Sequence, residues 1–199
     1  MANQLLWYKT RLPSNIVDSM CLELEGYENS FNEGMVGDKK IDHSRRKNKT
    51  VFVGAENWIA GFCYHYITLA NKNNFKYDIE GFASDLLQYS SYGQGEYYNW
   101  HVDASLGNSL VPTDNTKEDF VNFGVEKIRK ISMTVQLSSP EEYSGGEFQL
   151  LTDDNESFFA PKEKGTVIIF DSRLRHRVRK VNSGCRKSLV GWVVGPRWK

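Results

Sequence analysis

The sequence predicts an α+β fold in which helices from the first part of the chain pack on one sheet of an antiparallel, jelly-roll double sheet. Three observations lead there. Helical periodicity is confined to the residues before about Tyr77. From there on, nine short β segments are separated by Gly, Asp, Asn and Pro. No linker, repeat or low-complexity tract divides the 199 residues, a length suited to one hydrophobic core.

Pro13 and Ser14 open a first helix to about Leu24, with Ser14 as N-cap and Ile16, Val17, Met20 and Leu24 on one apolar face. A second helix runs from about Glu56 to Ala70, where Trp58, Ile59, Phe62, Tyr66 and Leu69 recur at helical spacing. Between them, GDKKIDHSRRKNKT is polar, basic and without periodicity, and reads as a mobile loop. The β segments are YDIEGF, LLQYS, EYYNWHVD, KISMTVQL, GEFQLL, SFFA, TVIIF, RHRVRKV and KSLVGWVV. One connection, Ala104 to Lys127, spans about two dozen residues. That exceeds the usual loop of roughly 4–6 residues and reads as an active-site lid.

Composition narrows the function classes. Hydrophobic residues make up 40% and charged residues 25%, and no apolar run nears the roughly 20 residues that cross a bilayer, so no membrane partner is expected. The first residues lack a basic lead, an apolar stretch and a small-residue cleavage site, so the expected compartment is the cytoplasm. Cys21, Cys63 and Cys185 are odd in number, far apart and without a CxxC pair, against both a disulfide framework and a thiolate zinc site. Acidic and basic residues balance at 25 each, yet Ala160 to Lys199 carries 11 basic and 2 acidic residues, a net of +9 against −9 for the rest. Such a segment can serve an anionic ligand or nucleic acid, although segments distant in sequence often fold together and neutralise one another.

The chemistry centres on three residues. His101 and Asp103 are one residue apart in a strand, so both side chains point to the same face. His176 shares its face with Leu174 and Val178, while Arg173, Arg175, Arg177 and Arg179 take the other. Two neutral imidazoles and one carboxylate on adjacent strands form the facial set suited to non-haem Fe(II), with three positions open; zinc more usually has a closed tetrahedral set. By chance an H-x-D alone turns up in roughly one protein of this size in five to ten, so the weight falls on what accompanies it. Arg186 follows His176 by ten residues, with Ser188 on the same strand face. A buried arginine demands an anion, and a co-substrate with a distal carboxylate would supply one.

The runs QYSSYGQGEYYNWHVD, ISMTVQLSSPEEYSGGEFQL and GTVIIFDSRLRHRVRKVNSGCRKSLVGW, in that order, resemble the Fe(II)- and 2-oxoglutarate-dependent oxygenases of the prolyl 4-hydroxylase type. Within these, the chain looks like the small PKHD-type hydroxylases of bacteria and phages, through its Y-x-GGE turn and H-x-V-x-x-V-x-x-G-x-R segment. The resemblance covers about residues 86–195; residues 1–85 are similar only through flanking helices and a basic loop before a V-F-V strand. It implies a double-stranded β-helix within one domain over residues 1–199, with 1–85 as supporting helices and basic loop. It also implies Fe(II) held by His101, Asp103 and His176, with 2-oxoglutarate as co-substrate and ascorbate as an optional accessory. Arg186 would clamp the distal carboxylate of 2-oxoglutarate, with Ser188 and Tyr92 beside it. Gln136 stands where some relatives have a tyrosine that joins the arginine. Tyr98 and Arg129 match positions that line the substrate side.

The reaction implied is hydroxylation of an unactivated C–H bond, with a prolyl residue of a peptide or protein as the leading substrate. A free amino acid or other small molecule is the alternative within the class. Zero net charge disfavours nucleic acid, though the row from Arg173 to Arg179 and the run Arg45, Arg46, Lys47 and Lys49 keep it open. A non-catalytic jelly-roll binding module is opposed by the intact ligand set. His43 and His65 read as non-ligands, Gly145 and Gly146 as turn residues, and Trp100 and Trp192 as core aromatics flanking the site.

Overall fold

The computed structural model describes residues 7–36, 40–104, 127–151, 156–196 and 198. The larger of its sheets has seven strands in the order β1 (Trp7–Arg11), β11 (Thr166–Asp171), β7 (Lys127–Gln136), β14 (Arg186–Pro196), β5 (Gly81–Tyr92), β4 (Lys49–Gly54) and β2 (Asn32–Glu33). The smaller has five, β10 (Ser157–Phe159), β9 (Phe148–Leu151), β12 (His176–Val178), β6 (Tyr97–His101) and β3 (Arg46–Lys47). A separate ribbon pairs β8 (Tyr143–Gly145) with β13 (Val181–Gly184). The described pairings are antiparallel. The sheets do not close into a barrel; the architecture is the expected jelly roll with helices on one sheet.

Period-two alternation gives the central strands of the larger sheet two different faces. Leu87, Tyr89, Ile131, Met133, Val135, Leu189 and Val193 pack against helices α1 (Ser14–Glu25) and α2 (Trp58–Ala70) through Val17, Met20, Leu24, Ile59 and Ile67. Each such buried Leu, Ile or Met stabilises the fold by roughly 1.5–3 kcal/mol. The alternate residues Gln88, Ser90, Ser132, Thr134, Gln136, Arg186 and Ser188 are also buried, yet polar. They share the space between the sheets with an apolar cluster that includes Tyr92, Tyr143, Phe148, Phe170 and Val178. A strand face that is both polar and buried must be satisfied by hydrogen bonds or by a ligand.

Several elements depart from expectation for local reasons. Pro13, not Ser14, sits at the N-cap of α1, and no side chain caps it; α2 starts at Trp58, where Asn57 accepts from the Ile59 N–H at 3.0 Å. The expected YDIEGF and LLQYS strands are replaced by one twelve-residue strand, because Ser84 and Asp85 adopt left-handed φ of 56° and 53° and bend β5 without ending it. The expected RHRVRKV strand divides at Arg179 and Lys180: β12 stays with β9, while Val181 moves to β8. That transfer needs Gly145, at φ 71°, since a Cβ there would stand 2.4 Å from the Lys180 carbonyl oxygen. The basic stretch read as a loop contains β3 and buries Arg46, Asn48 and Thr50. The expected lid lies outside the described residues. Among those residues no helix is long and apolar enough to cross a membrane.

One turn fixes how β11 delivers β12. Asp171 Oδ1 accepts from the Arg173 backbone N–H at 2.8 Å and from its Nε at 2.9 Å, and Oδ2 accepts from Arg173 Nη2 and Tyr77 Oη, each at 2.6 Å. Burial alone would raise the Asp171 pKa, but the Arg173 and Tyr77 hydrogen bonds and the Arg173 charge hold it below the ordinary value. A depressed native pKa contributes stability that is present above the unfolded carboxyl value, about 3.9, and is lost as pH falls through the native one. Urea unfolding at descending pH should therefore show an acid limb that flattens in Asp171→Asn; an unchanged limb would mean that other carboxylates produce it.

Candidate metal and anion site

Strands β6 and β12 are antiparallel neighbours with His101 directly opposite His176, their ring centroids 4.2 Å apart. Asp103 follows just beyond β6. Its backbone N–H and that of Ala104 both donate to the Ser172 carbonyl at 2.9 Å, which turns the carboxylate back toward the imidazoles. His101 Nε2 then lies 3.7 Å from Asp103 Oδ1, and His176 Nε2 lies 3.4 Å from Oδ2. One ligand atom from each of the three side chains falls within 4.8 Å of the others.

Hydrogen bonds fix the tautomers. His101 Nδ1 meets the Asn99 carbonyl at 2.7 Å and His176 Nδ1 the Leu174 carbonyl at 2.9 Å. A carbonyl only accepts, so each Nδ1 carries a proton, which leaves Nε2, on the side of Asp103, as the atom of each ring that can ligate a metal. Burial, followed by the adjacent His176, pushes the His101 pKa down to about 3. Burial alone would raise the Asp103 carboxyl, but His176, His101, Arg129 and the Ser132 hydroxyl hold it below its ordinary range. Ser132 Oγ donates to Asp103 Oδ2 at 2.7 Å and lies 2.8 Å from Ser172 Oγ. With both rings ligating through Nε2, the two imidazoles and the buried carboxylate would make a donor set of net charge −1 that a divalent cation completes. Tyr98 stacks on His101 at 3.6 Å between centroids, and Phe170 meets His176 edge-on at 4.8 Å.

Arg186 is only 2% exposed. Its Nη1 donates to Ser188 Oγ at 3.2 Å, and its guanidinium carbon lies 5.6 Å from the centre of the Tyr92 ring, the residue opposite it in register. Gln136 donates to the Tyr143 hydroxyl at 2.9 Å, and that hydroxyl lies close enough to Arg186 to feel its charge. No ion pair engages Arg186 among the described residues. An isolated buried cation is costly, so this arrangement calls for an anionic ligand.

Arg129 stacks over Trp192 at 4.1 Å, and its charge acts on Asp103. Arg46 covers Tyr98 on the side of β3, 4.6 Å from the ring centre, with Nε donating to Asn48 at 2.7 Å and Nη1 to the Met35 carbonyl at 2.8 Å. Arg46 Nη2 and Trp192 Nε1 are buried without a hydrogen-bond partner among the described residues. His43 is exposed beside Glu33, His65 packs against Tyr66 on α2, and neither joins the triad. Trp100 is a half-buried residue covered by Arg177.

Sequence reasoning missed Arg46 and Tyr143 as site residues. The alternation Arg46-x-Asn48-x-Thr50 before the V-F-V strand was the available signal for the first, hidden among neighbouring cations. Tyr143 opens the Y-x-GGE turn, where the glycines drew attention away from it.

Residues 87–194 match the model of the 2OG-Fe(II) oxygenase superfamily. A PKHD-type hydroxylase of Idiomarina loihiensis is 33% identical over 102 residues, which cover 51% of this chain and 38% of that protein. The chain thus spans about two fifths of the length of the curated relatives it matches. A Pseudomonas putida prolyl-4-hydroxylase superposes with a TM-score of 0.71 at 18% identity, covering 98% of this chain and 94% of that one. A Trichoplax adhaerens prolyl hydroxylase, in complex with a hypoxia inducible factor peptide fragment, gives 0.73 at 15% identity, covering 96% and 84%. At such identities these structures establish the fold.

The Ser132 hydroxyl orients the carboxylate without being a ligand. Replacing it in Ser132→Ala should weaken Mn(II) binding by roughly 10–100-fold, the usual effect of losing such support. Unchanged Mn(II) affinity would show that the Ser172 carbonyl alone is enough to place Asp103.

Proposed function

The chain belongs to the 2OG-Fe(II) oxygenase superfamily, and on that premise we propose that it hydroxylates an unactivated C–H bond, with a prolyl residue of a peptide or protein as substrate. The observation that carries the reading is Arg186, a buried guanidinium without an anion, in the same fold as an open three-residue ligand set. His101, Asp103 and His176 would hold Fe(II), and the donor set fits: two imidazoles fixed in the ligating tautomer and one deprotonated carboxylate. Bound there, Fe(II) with 2-oxoglutarate and dioxygen would supply the oxidation that converts C–H to C–OH as 2-oxoglutarate becomes succinate and carbon dioxide.

The chain's own residues do the rest. Arg186 offers its fork to the distal carboxylate of 2-oxoglutarate, while Ser188, Tyr143 and the Tyr92 face hold that fork in place. Gln136 acts one step back, by orienting the Tyr143 hydroxyl. Phe148, Phe170 and Val178 wall the space between the sheets with apolar surface that keeps water from the reacting carbon. On the substrate side, Tyr98 and Arg129 border the triad, and the N–H groups of Arg46 and Trp192 left unpartnered among the described residues suit the backbone carbonyls of a peptide. The Trichoplax neighbour, solved with a peptide fragment, supports a polypeptide as the kind of substrate.

Fe(II)-dependent succinate formation, with mass spectrometry of proline-containing peptides for the gain of one oxygen atom, tests the reaction and its substrate. Turnover of free proline without turnover of peptides would move the substrate to small molecules. In Arg186→Ala, 2-oxoglutarate binding to the Mn(II) form should weaken by about 2–5 kcal/mol while Mn(II) affinity persists. Retained 2-oxoglutarate affinity would mean that another residue holds the carboxylate.

A further inference from the structure

Two basic runs lie far apart in sequence, one around Arg45 to Lys49 and one from Arg173 to Lys180, and the smaller sheet brings them together. β3 pairs with β6 and β6 with β12, and a register shift between His176 and Val178 lets Tyr98 and His101, three residues apart, share one face of the sheet. The inner face takes Arg46, Tyr98, His101, His176 and Val178. The outer face presents Lys47, Tyr97, Asn99, Arg177 and, just past β12, Arg179, and the Asn99 N–H draws Arg45 alongside by donating to its carbonyl at 2.8 Å. A cavity of about 320 Å³ opens there, lined by Tyr97, Asn99, Arg177, Val178, Arg179 and Lys180. Both α-helices pack on the larger sheet.

Charge neutralisation by folding is incomplete at this surface. Elsewhere in the basic segment, Arg173 pairs with Asp171, Lys164 with Asp18 and Lys187 with Glu28. Here Arg179 reaches Glu147 at 3.7 Å, but Arg177 bonds only the neutral Gln149, at 2.7 Å, and Lys180 faces the Tyr97 ring at 5.9 Å. Among the described residues no carboxylate pairs with Arg177, Lys180 or Lys47. Burial and the charge of Arg179 both push the Arg177 guanidinium below its ordinary range.

We propose that this outer face is a docking site for an acidic segment of the polypeptide substrate, separate from the pocket that receives the hydroxylated residue. The inference rests on the polypeptide reading above and adds a requirement for carboxylates at a distance from the reacting carbon. Side chains on one side of an extended chain recur at every second residue, roughly 6.6 Å apart, so alternate carboxylates of an acidic segment can face Lys47, Arg177 and Lys180, and arginine forks take carboxylates well. Single-stranded nucleic acid would instead need open aromatic faces on which bases stack. Arg177 lies over Trp100 at 4.5 Å and Lys180 over Tyr97, so cations already sit over the rings of this surface.

Fluorescence polarisation on the metal-free full chain tests the proposal without any turnover. The probes are a short labelled oligo-glutamate peptide, a Gly-Ser peptide of equal length and an oligothymidylate of equal length. The glutamate peptide should bind, the Gly-Ser peptide should not, and affinity should fall about tenfold or more between low and physiological salt. Lys47→Glu combined with Lys180→Glu, both at exposed positions, should weaken the glutamate peptide roughly tenfold or more, and the milder Lys180→Gln about twofold to threefold. Equal affinity for the parent and charge-reversed chains overturns the docking site, and tighter binding of oligothymidylate than of glutamate overturns its assignment to an acidic peptide. Failure of 2-oxoglutarate turnover would strike the active-site reading and leave this binding result standing, so the two ideas fall separately.

Discussion

The register between β6 and β12 is the constraint on which the rest of the site depends. With His101 opposite His176, the two imidazoles share the inner face; a slip of one residue would turn one of them outward and exchange it for an arginine or a tryptophan. β12 is only three residues long, too short to hold its register alone. What holds it is the Asp171–Arg173 turn at one end and, at the other, the transfer of Val181 to β8. The Ser172 carbonyl, inside that same turn, accepts both N–H groups that place Asp103. One turn therefore sets the second imidazole and the carboxylate together.

The larger sheet solves a different problem with the same strands. Its outward residues are apolar and bury against two helices, which supplies the hydrophobic stabilisation. That leaves its inward residues free to be polar at a depth where polarity is normally costly. Ser132, Gln136, Gln88 and Ser188 offset that cost through hydrogen bonds with Ser172, Tyr143, Ser90 and Arg186 respectively. Arg186 is the member of the set whose charge the described residues leave unpaired, so the helices ultimately sustain a buried cation that only an anionic ligand completes.

Legibility in the sequence followed the range of the interactions. His101, Asp103 and His176 could be read because strand alternation is local, and Arg186 and Ser188 because the same period puts them on one face. The helix starts were displaced by one or two residues, since Pro13 and Asn57 take cap positions that apolar spacing does not mark. β1 and β3 were invisible because WYKTR and RK carry no alternation of their own; their neighbours β11 and β6 define them as strands. The union of YDIEGF with LLQYS depended on left-handed Ser84 and Asp85, a conformation that neither residue type announces. Gln136, which stands where some relatives have a tyrosine that joins the arginine, donates its amide to Tyr143, a partner seven residues along whose strand pairs with β13.

The basic run before β4 shows how one local pattern can serve two chemistries. A run of cations reads as a solvated loop when each residue is assumed to face water. Once β3 pairs with β6, alternation sends Arg46 inward and leaves Arg45 and Lys47 outside. Inside, the Arg46 guanidinium stacks on Tyr98, which stacks on His101, so a cation, a phenol and an imidazole form a column ending at the ligand set. The cation end of that column is fixed by Asn48 and the Met35 carbonyl, and Gly34 is part of the same arrangement because a Cβ there would stand 2.0 Å from Asn48 Oδ1. The neighbouring cations on the outside lie across one layer of strand from this column. Residues that differ by one in sequence thus address opposite faces of the same sheet, and the charge asymmetry along the chain becomes an asymmetry between the inside and the outside of the smaller sheet.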